Sequence, residues 1–364
     1  MRRNLALRWL VLVTILSVVV AACGDGTTDE TTTTVGDNGS EATTTTEVTP
    51  EETTTSAGAE MEEVTILLPV DSPNMYGFRV AVANGYFADE NLDATLEFVD
   101  GSGSAIQQLL GGAGEIASVG TGTVAEALES GFDDIRAIGN TNYGSVFLLT
   151  VPEDSEIQSP ADLEGARIGI SDLSGGEVPV VRGIVSAAGF DVDSDVELVP
   201  IGEGTALAVQ AIETDQVDAY GGSVNDIVAV EVQGIDLRTL DPGDLSGVPA
   251  LPLVTTQGFI DENPEVVEGV LRAVARGAEF GQTNPDETLE ILMEQSPEQF
   301  VDETGERIFE LILDLWQPPE GELFHSQSVE SWEYFFDVIA VELPEGTDLN
   351  TVIVDDFVEA ANDF

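Results

Sequence analysis

From Val64 to Thr256 the chain twice repeats one rhythm, a short apolar run followed by a stretch of helical period, and this rhythm allows little besides an α/β fold. Runs rich in Val, Ile and Leu read as strands of a parallel sheet, which is covered on both faces and so needs apolar residues in succession. The first set reads as strand Val64 to Val70, helix Tyr76 to Asn84, strand Ala94 to Val99, helix Ser104 to Leu110, strand Ile116 to Val119 and helix Thr123 to Glu129. Strands Ile135 to Asn140 and Val146 to Val151 complete it. The second set reads as strand Arg167 to Ile170, helix Val178 to Ala188, strand Glu197 to Pro200, helix Thr205 to Thr214, strand Val217 to Tyr220 and helix Asn225 to Gln233. Strand Leu251 to Thr256 follows, and Pro264 to Phe364 reads as mainly helical, with helix starts at Pro264, Pro285 and Pro297. Two sets and a returning strand predict two α/β lobes joined by two crossovers, near Thr150 and Pro249, with a helical C-terminal tail and a cleft between the lobes. Residues 62–150 and 251–364 are expected in lobe I, and 151–250 in lobe II.

The N-terminus predicts where such a fold would work. Arg2, Arg3 and Arg8 precede an apolar stretch from Trp9 to Val20, and Val20-Ala21-Ala22-Cys23 closes it with small residues before a cysteine. The stretch is shorter than the about 20 apolar residues of a spanning helix, so residues 1–22 are expected to be a removed lipoprotein signal peptide. Cys23 would then carry the lipid anchor and place the protein on the outer face of the cell membrane. Residues 23–61 are rich in Thr, Glu, Asp and Gly, which cannot bury enough surface to offset ordering entropy, and are expected to form a disordered tether. Cys23 is the single cysteine, so no intrachain disulfide can form.

Charge narrows the partners. The 11 basic residues are all arginine and face 69 acidic ones, for a net charge of −58. Such a field repels nucleic acid and anionic headgroups, which leaves the lipid as the route to the membrane. An acidic chain without lysine also fits a saline medium, where counterions screen carboxylate repulsion.

Five strand-to-helix junctions carry glycine with hydroxylated or acidic residues: Gly101 to Ser104, Gly120 to Thr123, Ser174 to Glu177, Gly202 to Thr205 and Gly221 to Ser223. In open α/β sheets ligands sit beyond the carboxyl ends of strands, where helix N-termini present unpaired N–H groups. Glycine lets a ligand approach the backbone, and Ser or Thr either caps the helix or turns to the ligand. Tyr76, Tyr143 and Tyr220 fall at strand ends or loops, where a ring can stack on a ligand. Phe78 and Phe147 lie within apolar runs and read as core; Trp316 fits either role.

Other chemistries find no support. No GxGxxG opens a helix with an acidic residue about 20 positions on, and GxxxxGK needs a lysine the chain lacks. Nucleophilic catalysis would have to use His325, the single histidine, without a GxSxG elbow. His325 and Cys23 leave only carboxylates as metal ligands. No cofactor, metal or catalytic residue is expected.

Further motifs narrow the class. They are Gly85-Tyr86-Phe87-Ala88-Asp89-Glu90-Asn91-Leu92, Gly101-Ser102-Gly103-Ser104 with Gln107-Gln108-Leu109-Leu110, and Glu115-Ile116-Ala117, then Ser159 to Gly165 before strand Arg167 to Ile170, and Gln216-Val217-Asp218-Ala219-Tyr220. With them the chain, from Val64 to Gln282, resembles the solute-binding proteins of ATP-driven importers in the nitrate, sulfonate and taurine group, especially the branch that binds thiamine-pyrimidine precursors. The resemblance implies the type II periplasmic-binding-protein fold, closing on a small nutrient as a monomer and docking to ABC permease subunits. It places ligand contacts at Asn74, Tyr76, Ser102, Ser104, Thr121, Thr123, Ser174, Gly175, Gly176, Glu177, Tyr220, Gly222 and Ser223, and Tyr143 joins them as a candidate from its place in a loop. Pyrimidine binders of the group commonly carry a histidine in the first loop, where this chain has Met75. An enzyme of the same fold family binds pyridoxal phosphate through a lysine, which this chain cannot do.

Ligand charge and role stay open in part. Arg79 lies inside a helix, Arg167 opens a strand and Arg182 is over one turn into its helix, so no arginine sits at a loop tip. That favours a roughly neutral heteroaromatic ligand, with Glu177 meeting a ring nitrogen or amine, over a sulfonate or nitrate, although backbone N–H groups can hold an anion. A lipoprotein that senses the ligand and signals to a membrane partner would present the same features.

Overall fold

Leu67 shows why the first apolar run becomes a buried strand. In the computed structural model it faces one helical layer, while its neighbours Ile66 and Leu68 face another. The structure describes residues 61–171, 173, 176–202, 206–241, 249–338 and 343–364. The expected signal peptide, Cys23 and the tether through Glu60 lie outside the described residues.

The first half runs β1 (Glu62–Leu68), α1 (Tyr76–Ala83), α2 (Tyr86–Asp89), β2 (Leu92–Phe98), α3 (Gly101–Leu110), β3 (Ile116–Ser118), α4 (Thr121–Glu129) and β4 (Ile135–Asn140). The second runs β5 (Phe147–Pro152), β6 (Arg167–Ile170), α5 (Val178–Ala187), β7 (Glu197–Pro200), α6 (Ala206–Glu213), β8 (Ala219–Ser223), α7 (Val224–Val232) and β9 (Leu237–Thr239). The chain then returns through β10 (Pro252–Thr256) to α8 (Gln257–Glu262), α9 (Pro264–Thr283), α10 (Pro285–Gln295), α11 (Thr304–Leu315), α12 (Val329–Val338), α13 (Leu349–Val352) and α14 (Val358–Ala361).

The strands form two five-stranded sheets of matching plan, β2-β1-β3-β10-β4 and β7-β6-β8-β5-β9. Three strands of each are parallel. The fourth arrives from the other half and runs antiparallel: β10 in the first sheet and β5 in the second. This exchange makes the two crossovers, Thr141 to Val146 and the return to β10. They run side by side, because Thr141 donates to the Leu251 carbonyl through its hydroxyl (2.8 Å) and the Ala250 N–H donates to the Asn142 carbonyl (3.2 Å).

Two readings of the sequence change here. Phe147–Pro152 pairs with β8 and β9, so the chain enters the second half before Phe147 and not near Thr150. The C-terminal tail does not pack on the first half alone, because α11 touches α7 and α12 touches α5 as well as α4. In addition, α3 and α4 begin at Gly101 and Thr121, so the glycine- and serine-rich junctions form the first helical turns rather than loops ahead of them.

One helix pair fixes how the first half packs. Val64, Ile66 and Leu68 meet α1 and α9, and those helices approach so closely that a methyl group added at Gly277 would lie 2.0 Å from the Gly77 carbonyl oxygen. Only glycine permits that approach.

Candidate functional site

The carboxyl ends of β1, β2, β3, β4, β6 and β8 and the turns after them hold the expected contact residues. After β1, the Ser72 Oγ accepts from the Asn74 N–H (3.2 Å) and donates to Asn225 Oδ1 (3.0 Å), at the start of α7 in the other half. Asn74 is buried: its carbonyl accepts from Trp316 Nε1 (3.0 Å), and its Oδ1 accepts from Trp316 Nε1 and Asn142 Nδ2 (both 3.2 Å). The residue thus ties the first loop to the first crossover. Tyr76 does not offer a platform. Its ring, 0% exposed, packs 4.8 Å from Trp316 and 5.6 Å from Phe309, its hydroxyl accepts from Gln282 Nε2 (3.1 Å), and burial drives its ionisation far above the ordinary range.

Ser102 joins two helix N-termini, since its Oγ accepts from the Gly120 N–H (2.9 Å). A methyl group on Gly120 would lie 3.6 Å from Ser102 Oγ and 3.8 Å from Thr123 Oγ1, so these three small residues gather at one point. Ser104 accepts from Gln108 Nε2 along its own helix (3.1 Å). The buried Thr121 hydroxyl donates to the Pro249 carbonyl and so holds the second crossover. Half-buried Tyr143 donates from its hydroxyl to the Leu323 carbonyl (3.3 Å), and burial raises its ionisation.

In the second half, Ser174 and Gly175 lie outside the described residues. A methyl group on Gly176 would lie 2.7 Å from the Phe147 ring, so this ring rests on the backbone that enters α5. Glu177, 4% exposed, uses Oε1 to accept from the Ser171 N–H (2.7 Å) and Oγ (2.6 Å), and closes the turn after β6. Among the described residues it has no cationic partner. Tyr220, like Tyr76, is core: 1% exposed, it packs with Ala208, Ile227 and Val230, and its hydroxyl lies 3.5 Å from the Gly202 carbonyl. At Gly222 an added methyl would meet Asp226 Cβ at 3.1 Å and the Tyr220 hydroxyl at 3.3 Å. Ser223 caps α7, its Oγ donating to Asp226 Oδ2 (2.6 Å) and accepting from the Asp226 N–H (3.3 Å).

The structure therefore brings Asn74, Ser102, Thr121 and Thr123 in one half, and Gly176, Glu177, Gly222 and Ser223 in the other, to the strand ends and helix starts beside the crossovers. It removes Tyr76 and Tyr220 to the two cores. Reading the sequence missed Ser72, Asn142, Ser171 and Asn225. In sequence Ser72 is only the residue before a proline and Asn225 only part of a helix start; their bond spans 153 residues.

Electrostatics at these turns is set by N–H groups and by the carboxylates of Glu177 and Asp226. The described arginines are engaged elsewhere: Arg79 with Asp71 and over the Phe98 ring, Arg136 with Gln257, Arg167 with Asp218, Arg182 with Asp193, Arg238 with the Ile157 carbonyl, Arg272 with Glu90 and Glu268, Arg276 with Asp89, and Arg307 with Glu310 and Glu231. His325 is buried between the Asn140 and Leu271 carbonyls (3.2 and 2.8 Å), and burial pushes its pKa down to about 4, so it is neutral at pH 7. Among the described residues no group of His, Cys, Asp and Glu is placed to hold a metal. No described helix is long and apolar enough to cross a membrane.

A wide depression of about 1070 Å³ lies elsewhere, at the opposite ends of the second sheet's strands, lined by Glu153, Asp154, Glu213, Asp215, Asp218 and Asp236 among others. It is open and acidic, and Asp218 within it is committed to Arg167, whose hydrogen bonds hold its carboxyl below the usual range.

Two α/β halves that exchange strands through adjacent crossovers define the architecture of periplasmic solute-binding proteins. Within that class the chain belongs to the NMT1/THI5-like family, whose model matches residues 72–288. It is 28% identical over 263 residues to the formylaminopyrimidine-binding protein of Halalkalibacterium halodurans, covering 70% of this chain and 77% of that one. It is 24% identical over 264 residues to the riboflavin-binding protein RibY of Chloroflexus aurantiacus, covering 71% and 74%. The periplasmic aliphatic sulphonate-binding protein SsuA of Escherichia coli shares the fold with a TM-score of 0.63 at 16% identity, over 77% of this chain and 86% of that one.

Proposed function

We propose that this chain is the extracytoplasmic solute-binding component of an ABC importer, and that it captures an uncharged or weakly basic heteroaromatic nutrient between its two halves. The observation that carries the reading is the charge at these turns: the carboxylates of Glu177 and Asp226 stand at the starts of α5 and α7, while each described arginine is engaged with other partners and the single histidine is neutral. A carboxylate without a cation complements a ring nitrogen or exocyclic amine and repels a sulfonate or nitrate. The two curated relatives are named for a pyrimidine and a flavin, both nitrogen heterocycles, which supports the same class.

Function in this reading is binding and delivery without turnover. A ligand touching both halves stabilises the closed form, because it shifts an equilibrium only through its differential affinity for the two states. The closed monomer would dock to permease subunits, held near the membrane by a lipid on Cys23. Thermal unfolding of the full chain against formylaminopyrimidine, riboflavin, an alkanesulfonate and nitrate tests the reading. A ligand at about 1,000 times its Kd adds about 4 kcal/mol. A shift with a heterocycle and none with the anions is expected; the reverse pattern would overturn the ligand class.

A further inference from the structure

Helix α12 packs on both halves. The chain before it is pinned where Gln327 Nε2 donates to the Ala137 carbonyl (2.8 Å), and the chain after it returns where the Val354 N–H donates to the same oxygen (2.8 Å). Ile353 also bridges to Ala137 itself, on edge strand β4 of the first sheet. Between these two anchors α12 leaves the first sheet and packs on both α4 of the first half and α5 of the second. Its buried face is aromatic: Trp332, Phe335 and Phe336 interlock, with ring centroids 5.7 and 6.1 Å apart, in one apolar cluster with Val124 and Leu128 of α4 and Val180, Val181 and Ile184 of α5. Two polar atoms of this segment, Trp332 Nε1 and Gln327 Oε1, are buried without a hydrogen-bond partner among the described residues. A buried donor without a partner is costly. The two unpaired atoms lie on the contact that spans the halves and at its root.

We infer that α12 is a further connection between the halves, beside the two crossovers and the packing of α11 on α7, and that it acts as a non-covalent strap whose grip on α5 limits how far they open without ligand. The helix it grips carries Gly176 and Glu177 at its entry, so the strap also positions the second half's share of the proposed site. The inference uses that site only for its consequence; the opening itself is measured without ligand and does not depend on which solute binds.

The test places spin labels on Val301→Cys and Leu207→Cys, exposed positions in the first and second halves, in the full chain carrying Cys23→Ser in detergent. Label distances are then compared with and without Trp332→Ala, Phe336→Leu or Trp332→Phe. The first two variants should add a longer-distance population absent from the parent chain, while Trp332→Phe, which keeps a ring and removes the unpaired N–H, should leave the distances unchanged. Phe336→Leu decides the matter if Trp332→Ala does not fold. Unchanged distances in a folded Phe336→Leu chain with a lowered unfolding midpoint would overturn the inference, because α12 would then only cover surface.

Discussion

Asn74→Ala separates a residue held by the fold from one free to serve a ligand. Asn74 Oδ1 accepts from Asn142 Nδ2 and from Trp316 Nε1, both at 3.2 Å. Truncation leaves the indole its second partner, the Asn74 carbonyl at 3.0 Å, but deprives the fully buried Asn142 amide of its acceptor. One orphaned buried donor costs about 1–3 kcal/mol. In a unit of this size that lowers Tm by roughly 2–6 °C. Urea unfolding of the chain without ligand gives the cost directly, and a double-mutant cycle with Asn142→Ala isolates its cause. The double variant has no orphan, so the two costs should fall short of additivity by about 1 kcal/mol. Strict additivity, or an Asn74→Ala chain as stable as its parent, would refute the argument that this amide pair joins the first loop to the crossover.

Three further outcomes are expected. The imidazole of His325 has a folded pKa near 4 against 6.5 unfolded, so the unfolded chain binds the proton more readily. Its contribution is complete above pH 6.5 and is lost as pH falls through 4, by up to about 3 kcal/mol; NMR titration of this single histidine checks the pKa, and a value above 6 would contradict the burial argument. Gly277→Ala sets a methyl group 2.0 Å from a backbone oxygen, so urea unfolding should show a loss at the upper end of overpacking costs, about 3 kcal/mol. Glu177→Gln keeps an acceptor for Ser171 but removes the charge, so calorimetry should find riboflavin or formylaminopyrimidine binding about tenfold weaker with little change in unliganded Tm.

The fold was legible where local chemistry decides it. Strands Ile135 to Asn140, Arg167 to Ile170 and Glu197 to Pro200 appear at the expected residues, because short runs with Ile, Leu and Val between turn residues leave few alternatives. The sequence puts the first crossover too late, because Val146 to Val151 reads as a strand of either sheet until its partner, β8, is known. Tyr76 and Tyr220 show a deeper limit. Both stand at strand or helix ends, where a ring can face a ligand or the core, and that choice is made by Trp316, Phe309 and Ile227, up to 240 residues away in the case of Trp316. The Ser72–Asn225 bond was invisible for the same reason: each residue alone is ordinary turn and cap chemistry. Glycines were more informative, since Gly176 and Gly222 do mark places where a side chain or ring presses on the backbone.

Hydrogen exchange of the full chain, with and without the heterocycle that raises its Tm, tests the central claim most directly. Binding between the halves predicts slowed exchange at the starts of α3 and α4 in one half and of α5 and α7 in the other, together. Protection confined to one half, or to the acidic depression around Glu153 and Asp215, would contradict it.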